Sequence, residues 1–96
     1  MNGITKDARV NQTIHTQQFA ERARNLAYTA TDTSRNAYDS TCHPGITELS
    51  GRVQQKAYEL NQALRATRQI ADELHELAMQ EYLLACKLPE DPKEDA

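Results

Sequence analysis

Tryptophan is absent from this 96-residue chain, phenylalanine occurs once and glycine three times. Sheets are built from aromatic and β-branched residues joined by glycine-rich turns, so a β architecture has little here to be made of. Long apolar runs are missing too. No stretch approaches the ~20 residues that span a bilayer as a helix. No basic segment leads into an apolar block, as it does in a secretory signal peptide. A cytoplasmic location, or export without a cleavable signal, is therefore expected. An excess of positive charge is also lacking: 11 Lys and Arg stand against 14 Asp and Glu, for a net charge of −3. That balance speaks against nucleic acid or a membrane surface as the main partner. Cysteine is scarce, and Cys42 and Cys86 do not form the several closely spaced pairs of a small secreted disulfide domain.

What is present reads as helix. Apolar residues make up 39% and charged residues 26% of the chain, and the mean hydropathy is −0.79. These values suit exposed helices in one small domain rather than a thick core. The strongest internal break is Cys42-His43-Pro44-Gly45, after Asp39-Ser40-Thr41, a turn signal preceded by a polar helix end. Short turns between long helices make them antiparallel. The spacing thus predicts an all-α fold, a two-helix hairpin with long helices over about 5–39 and 46–88, assembling into a four-helix bundle as a dimer. Thr5 or Asp7 would cap the first helix and Thr47 or Ser50 the second; Pro89 would stop the second. Residues 1–4 read as a flexible N-terminus and 89–96 as a disordered acidic tail around the hairpin domain of 5–88. With the turn centred on 42–45, Leu26 would lie level with Asn61 and Phe19 with Arg68.

The second helix carries a heptad. With Ile46 at a, the a positions continue through Val53, Leu60, Thr67, Leu74, Glu81 and Leu88. The d positions are Leu49, Lys56, Ala63, Ile70, Leu77 and Leu84, and the e positions include Ala57, Leu64, Ala71, Ala78 and Ala85. This stripe is wider than a two-stranded seam. The first helix answers with small residues: Thr13, Thr16, Ala20, Ala23, Ala27, Ala30, Ser34 and Ala37, flanked by Phe19, Leu26 and Thr33. A narrow alanine seam cannot cover so broad a stripe. Leu49, Val53, Leu60, Leu64, Ile70, Leu74, Leu77 and Leu84 are therefore the candidate interface, facing a second copy (a homodimer) or a larger helical protein.

Chemistry-bearing residues are few. His15 and His75 would lie near Asp72, Glu73 and Glu76, but di-metal bundles repeat Glu-x-x-His on facing helices, and Asp72-x-x-His75 is one half of such a pair. A solvated polar face is the better reading, and no metal or cofactor is expected. Cys42 and His43 adjoin in the turn without an oxyanion-type glycine loop, so neither catalysis nor a small-molecule substrate is expected. Arg22, Arg24, Arg65 and Arg68 would share one height of the hairpin and could bind an anion or an acidic partner surface. Tyr28, Tyr38, Tyr58 and Tyr82 border the apolar stripes as packing residues.

In plan, residues 5–88 resemble the WXG100-like proteins of type VII secretion: two long antiparallel helices, a short turn and a loose tail. Of that family's Trp-x-Gly turn, Gly45 is present. Tyr82 stands where its export tyrosine would fall, with Cys86 in the place of the acid four residues later. The resemblance implies a helical-hairpin adaptor, chaperone or targeting partner for a secretion system. A non-enzymatic protein–protein interaction module is the expected function. The alternatives are a small nucleic-acid-binding hairpin dimer and a structural helical protein of a phage or plasmid.

Overall fold

The computed structural model describes residues 5–90 and is a hairpin of two helices, α1 (Lys6–Ser40) and α2 (Ser50–Cys86). No strand occurs among the described residues. The outer portions assigned above to a flexible start and an acidic tail, residues 1–4 and 91–96, lie outside them.

Thr5 caps α1: its backbone is extended and its hydroxyl oxygen accepts from the Ala8 amide at 3.1 Å. Asp7 adds a negative charge to the first turn, where the helix dipole favours it. The stretch Thr29–Asn36, rich in β-branched and short polar residues, remains helical because two of those side chains turn inward. Thr31 and Ser34 are buried, and the Thr31 hydroxyl lies 2.7 Å from the Ala27 carbonyl and 3.3 Å from the Leu64 carbonyl across the hairpin.

The second helix starts later than its heptad suggests. Ile46 to Leu49 belong to the connection, and Leu49 occupies the cap position with no side-chain bond. Ser50 instead reaches back from the first turn, its hydroxyl accepting from the amides of Ile46 at 3.0 Å and Thr47 at 3.1 Å. Gly45 packs under that side chain, and a Cβ there would come within 3.1 Å of Ser50 Cβ. The far end of α2 closes tightly, with Lys87 and Leu88 bonding back to the Leu84 and Ala85 carbonyls just before Pro89.

This longer connection resets the register. Arg24 meets Asp72, Tyr38 packs against Tyr58, Cys42 contacts Gln54 and Lys6 pairs with Glu90. Leu26 is therefore near the level of Ile70 instead of Asn61, and Phe19 near Leu77 instead of Arg68. The displacement is about two and a half helical turns. It arises because Ile46–Leu49 are spent on the connection, so that Gln54 rather than Gly45 comes level with the end of α1.

The seam between the helices follows a strict 3-4 alternation of buried and half-buried residues. On α1 it runs Val10, Thr13, Gln17, Ala20, Arg24, Ala27, Thr31, Ser34 and Tyr38. On α2 it runs Gln54, Ala57, Asn61, Leu64, Arg68, Ala71, His75, Ala78, Tyr82 and Ala85. The apolar residues at its centre are alanines, with Ala20 2% and Ala78 4% exposed. Small side chains let the backbones approach closely and leave no room there for leucine. In heptad terms α2 packs on α1 through its e and b positions, and the a/d row is turned away.

Candidate functional site

Both helices carry a second 3-4 row about 100° around from the seam, one residue before each of its positions. On α2 this is the a/d row of Val53, Leu60, Ala63, Ile70, Leu74, Leu77 and Leu84, interrupted by Lys56, Thr67 and Glu81. On α1 it is Gln12, Thr16, Phe19, Ala23, Leu26, Ala30, Thr33 and Ala37. In antiparallel helices these rotations carry both rows to the same flat side of the hairpin. A groove of about 470 Å³ runs between them at the open end, lined from α1 by Arg9, Gln12 and Thr16, from α2 by Glu81 and Leu84, and by Leu88 just beyond its end.

This side is apolar and uncovered. Leu26 is 72% exposed, Leu84 66%, Ile70 65% and Phe19 64%. Leu49, Val53, Leu60, Leu74 and Leu77 are also exposed. Of the eight residues assigned above to an interface, Leu64 alone lies in the seam, half-buried, where its carbonyl accepts from Thr31. Covering such side chains yields about 1 kcal/mol for each that is half buried. Over this row the sum matches the whole stability of a small domain.

The opposite side is polar. Arg24 Nε donates to Asp72 Oδ1 at 2.8 Å, and the Tyr28 hydroxyl spans the two carboxylate oxygens at 2.9 and 3.0 Å. Arg68 lies over the Tyr28 ring at 4.1 Å and Arg24 over it at 5.1 Å. The Arg24 guanidinium, with help from the Tyr28 hydroxyl, holds the Asp72 carboxyl below the usual carboxylate range. Asp72, Arg24 and Tyr28 thus form a cross-hairpin cluster that went unread in the sequence, because it depends on the register.

The four arginines proposed as a patch fall into different settings. Arg24 and Arg68 meet through Tyr28, with Arg24 paired to Asp72. Arg65 and Arg68 join Arg35, Thr31 and Asn61 around a groove of about 290 Å³. Arg22 stands on the outer side of α1, over the Phe19 ring at 5.4 Å. Near that groove the Asn61 amide nitrogen and the Ser34 hydroxyl are buried without a hydrogen-bond partner.

His15 falls near the level of Glu81 and His75 near that of Glu21, so the register separates the two histidines by more than a turn. No group of three or more His, Cys, Asp or Glu among the described residues is placed to hold a metal ion. Cys42 and Cys86 are free and exposed at opposite ends of the hairpin, with the Cys42 thiol 3.5 Å from the Tyr38 carbonyl. No helix among the described residues is long and apolar enough to cross a membrane. Compared with known proteins, the chain matches no family model, no curated protein and no solved structure.

Proposed function

We propose that this protein is a non-enzymatic interaction module, a helical hairpin that works by laying its apolar side against another helical chain. The observation that carries this reading is the division of labour between the two rows on α2. The alanine row closes the hairpin, and the leucine-rich row beside it, regular over five heptads, is left open together with Phe19 and Leu26. An apolar patch of this extent on a small chain marks a protein interface, and the 3-4 spacing selects a helix as its complement. The roles that fit are those of an adaptor, a chaperone or a targeting partner, including a hairpin partner in a secretion system. The nucleic-acid alternative, read from Arg22, Arg24, Arg65 and Arg68, has a shorter feature to rest on, the opposite-side groove where Arg65 and Arg68 adjoin Arg35.

The test is a photo-crosslinking residue placed at Ile70, on the open side, and separately at Arg65, on the polar side, in the cell. A discrete polypeptide adduct from position 70 and none from position 65 is expected. Adducts from neither position, or from position 65 alone, would refute the assignment of the working surface.

A further inference from the structure

The a/d row of α2 contains two charges among its apolar residues, Lys56 and Glu81. They have opposite signs, and each is the last but one residue at an end of the helical row, Lys56 after Val53 and Glu81 before Leu84. The row is therefore its own complement when reversed. A second α2 laid antiparallel about the midpoint between Thr67 and Ile70 brings Lys56 opposite Glu81 of the other copy, twice by symmetry. Every remaining layer within α2 pairs an a with a d residue and is free of charge: Val53 with Leu84, Leu60 with Leu77, Ala63 with Leu74 and Thr67 with Ile70. A parallel copy in register would stack lysine on lysine and glutamate on glutamate, which is unfavourable in a desolvated seam.

From this we infer that the occupant of the open side is a second copy of the chain. The two hairpins lie face to face as an antiparallel four-helix bundle, α2 on α2 and α1 on α1, related by a two-fold axis at the level of Thr67 and Ile70. The inference rests on the reading that the open side is the working surface. The first helix supports it independently. In the hairpin's own register, set by Arg24 with Asp72 and Tyr38 with Tyr58, the midpoint of the α2 row lies level with Ala27 and Tyr28. The same two-fold axis then sets α1 against α1 so that, within about one residue, Phe19 comes over Ala37 and Leu26 over Ala30 of the second copy. The two large exposed side chains of α1 thus meet alanines, although α1 had no part in choosing the axis. The area is sufficient: two helices about 20 Å wide together and ~55 Å long present on the order of 1,000 Å² per copy, above the ~800 Å² per partner of a standard interface. In the single chain Lys56 rests on Glu59 at 3.1 Å with 79% of its side chain exposed, so it can turn to the opposing Glu81.

Sedimentation equilibrium of the full chain, with helicity followed by circular dichroism, tests the pairing. The wild type is expected to sediment as a dimer. Lys56→Glu or Glu81→Lys alone should weaken it at least about tenfold. The double exchange K56E/E81K should restore it to within about threefold of wild type. In a Cys42→Ser, Cys86→Ser background, cysteines at Thr67 and Ile70 together should give an intermolecular disulfide on oxidation. A wild-type chain that is helical and monomeric at about 100 µM, a bound some hundredfold weaker than a micromolar Kd, would overturn self-pairing; crosslinks from position 70 to another protein would leave the broader reading standing. A dimer indifferent to the single reversals, or not restored by the exchange, would overturn this register.

Discussion

Ala78 and Ala66 sit on one helix and differ in the surface they meet. Ala78 is buried in the seam, whereas Ala66 is exposed at the position pointing directly away from α1. Replacing each by leucine changes helix propensity by the same small amount, so any difference measures packing. At Ala78 the three added carbons enter a closed seam at the level of Gln17 and Ala20, next to His75 and Tyr82. Overpacking of this kind costs about 1–3 kcal/mol. For a chain of this size, that lowers the melting temperature by roughly 5–20 °C. Ala66→Leu adds surface facing solvent and is expected to shift the midpoint by at most ~0.5 kcal/mol. Thermal and urea unfolding followed at 222 nm, at one protein concentration, compare the two directly. Equal losses at both sites, or a neutral Ala78→Leu, would refute the placement of the e-position alanines between the helices.

Three further outcomes follow from named contacts. Because the folded-state value of Asp72 is lowered, its contribution is fully present above the ordinary carboxylate value of ~3.9 and is lost as pH falls through the lowered value. Asp72→Asn should therefore lower the urea midpoint at pH 7 and match wild type near the acid limit of the titration; an equal gap at both pH values would contradict it. Ser34→Ala removes a buried hydroxyl that has no partner and should stabilise the hairpin by about 0.5–2 kcal/mol in urea unfolding, where a loss would count against it. Ser50→Ala removes the acceptor for the Ile46 and Thr47 amides and should cost about 1 kcal/mol, with faster amide exchange at both residues; unchanged exchange would contradict the tie.

The two helices and the break after Ser40 could be read from composition and punctuation, because each is a local property of the backbone; between Thr5 and Asp7 as the cap of α1, the Ala8 amide decides for Thr5. The start of α2 could not. Ile46 and Leu49 continue the heptad in spacing, yet Pro44-Gly45 and the back-bonding Ser50 hold them in the connection, and periodicity does not register that competition. The register failed with it, since every level in a hairpin is measured from its turn. Of Arg22, Arg24, Arg65 and Arg68 the structure brings Arg24 and Arg68 to one ring, Tyr28, and the Asp72 cluster becomes legible only once the register is known. The stripe on α2 was legible as too broad for its partner, but a broad stripe does not say which edge turns inward. The small residues of α1 decide that: Ala20 and Ala27 leave space for Ala71 and Ala78 and none for Leu74 or Leu77.

Leu83 and Leu84 offer the most direct measurement of the open apolar side as the working surface. Both are exposed in the single chain, Leu83 50% and Leu84 66%, but Leu84 belongs to the a/d row and Leu83 points to the other flank of α2. Methyl-resolved solvent relaxation enhancement, recorded on the chain in the assembly in which it is isolated, should show the Leu84, Leu77 and Ile70 methyls protected while Leu83 stays solvent-accessible. Equal accessibility of Leu83 and Leu84 would contradict it.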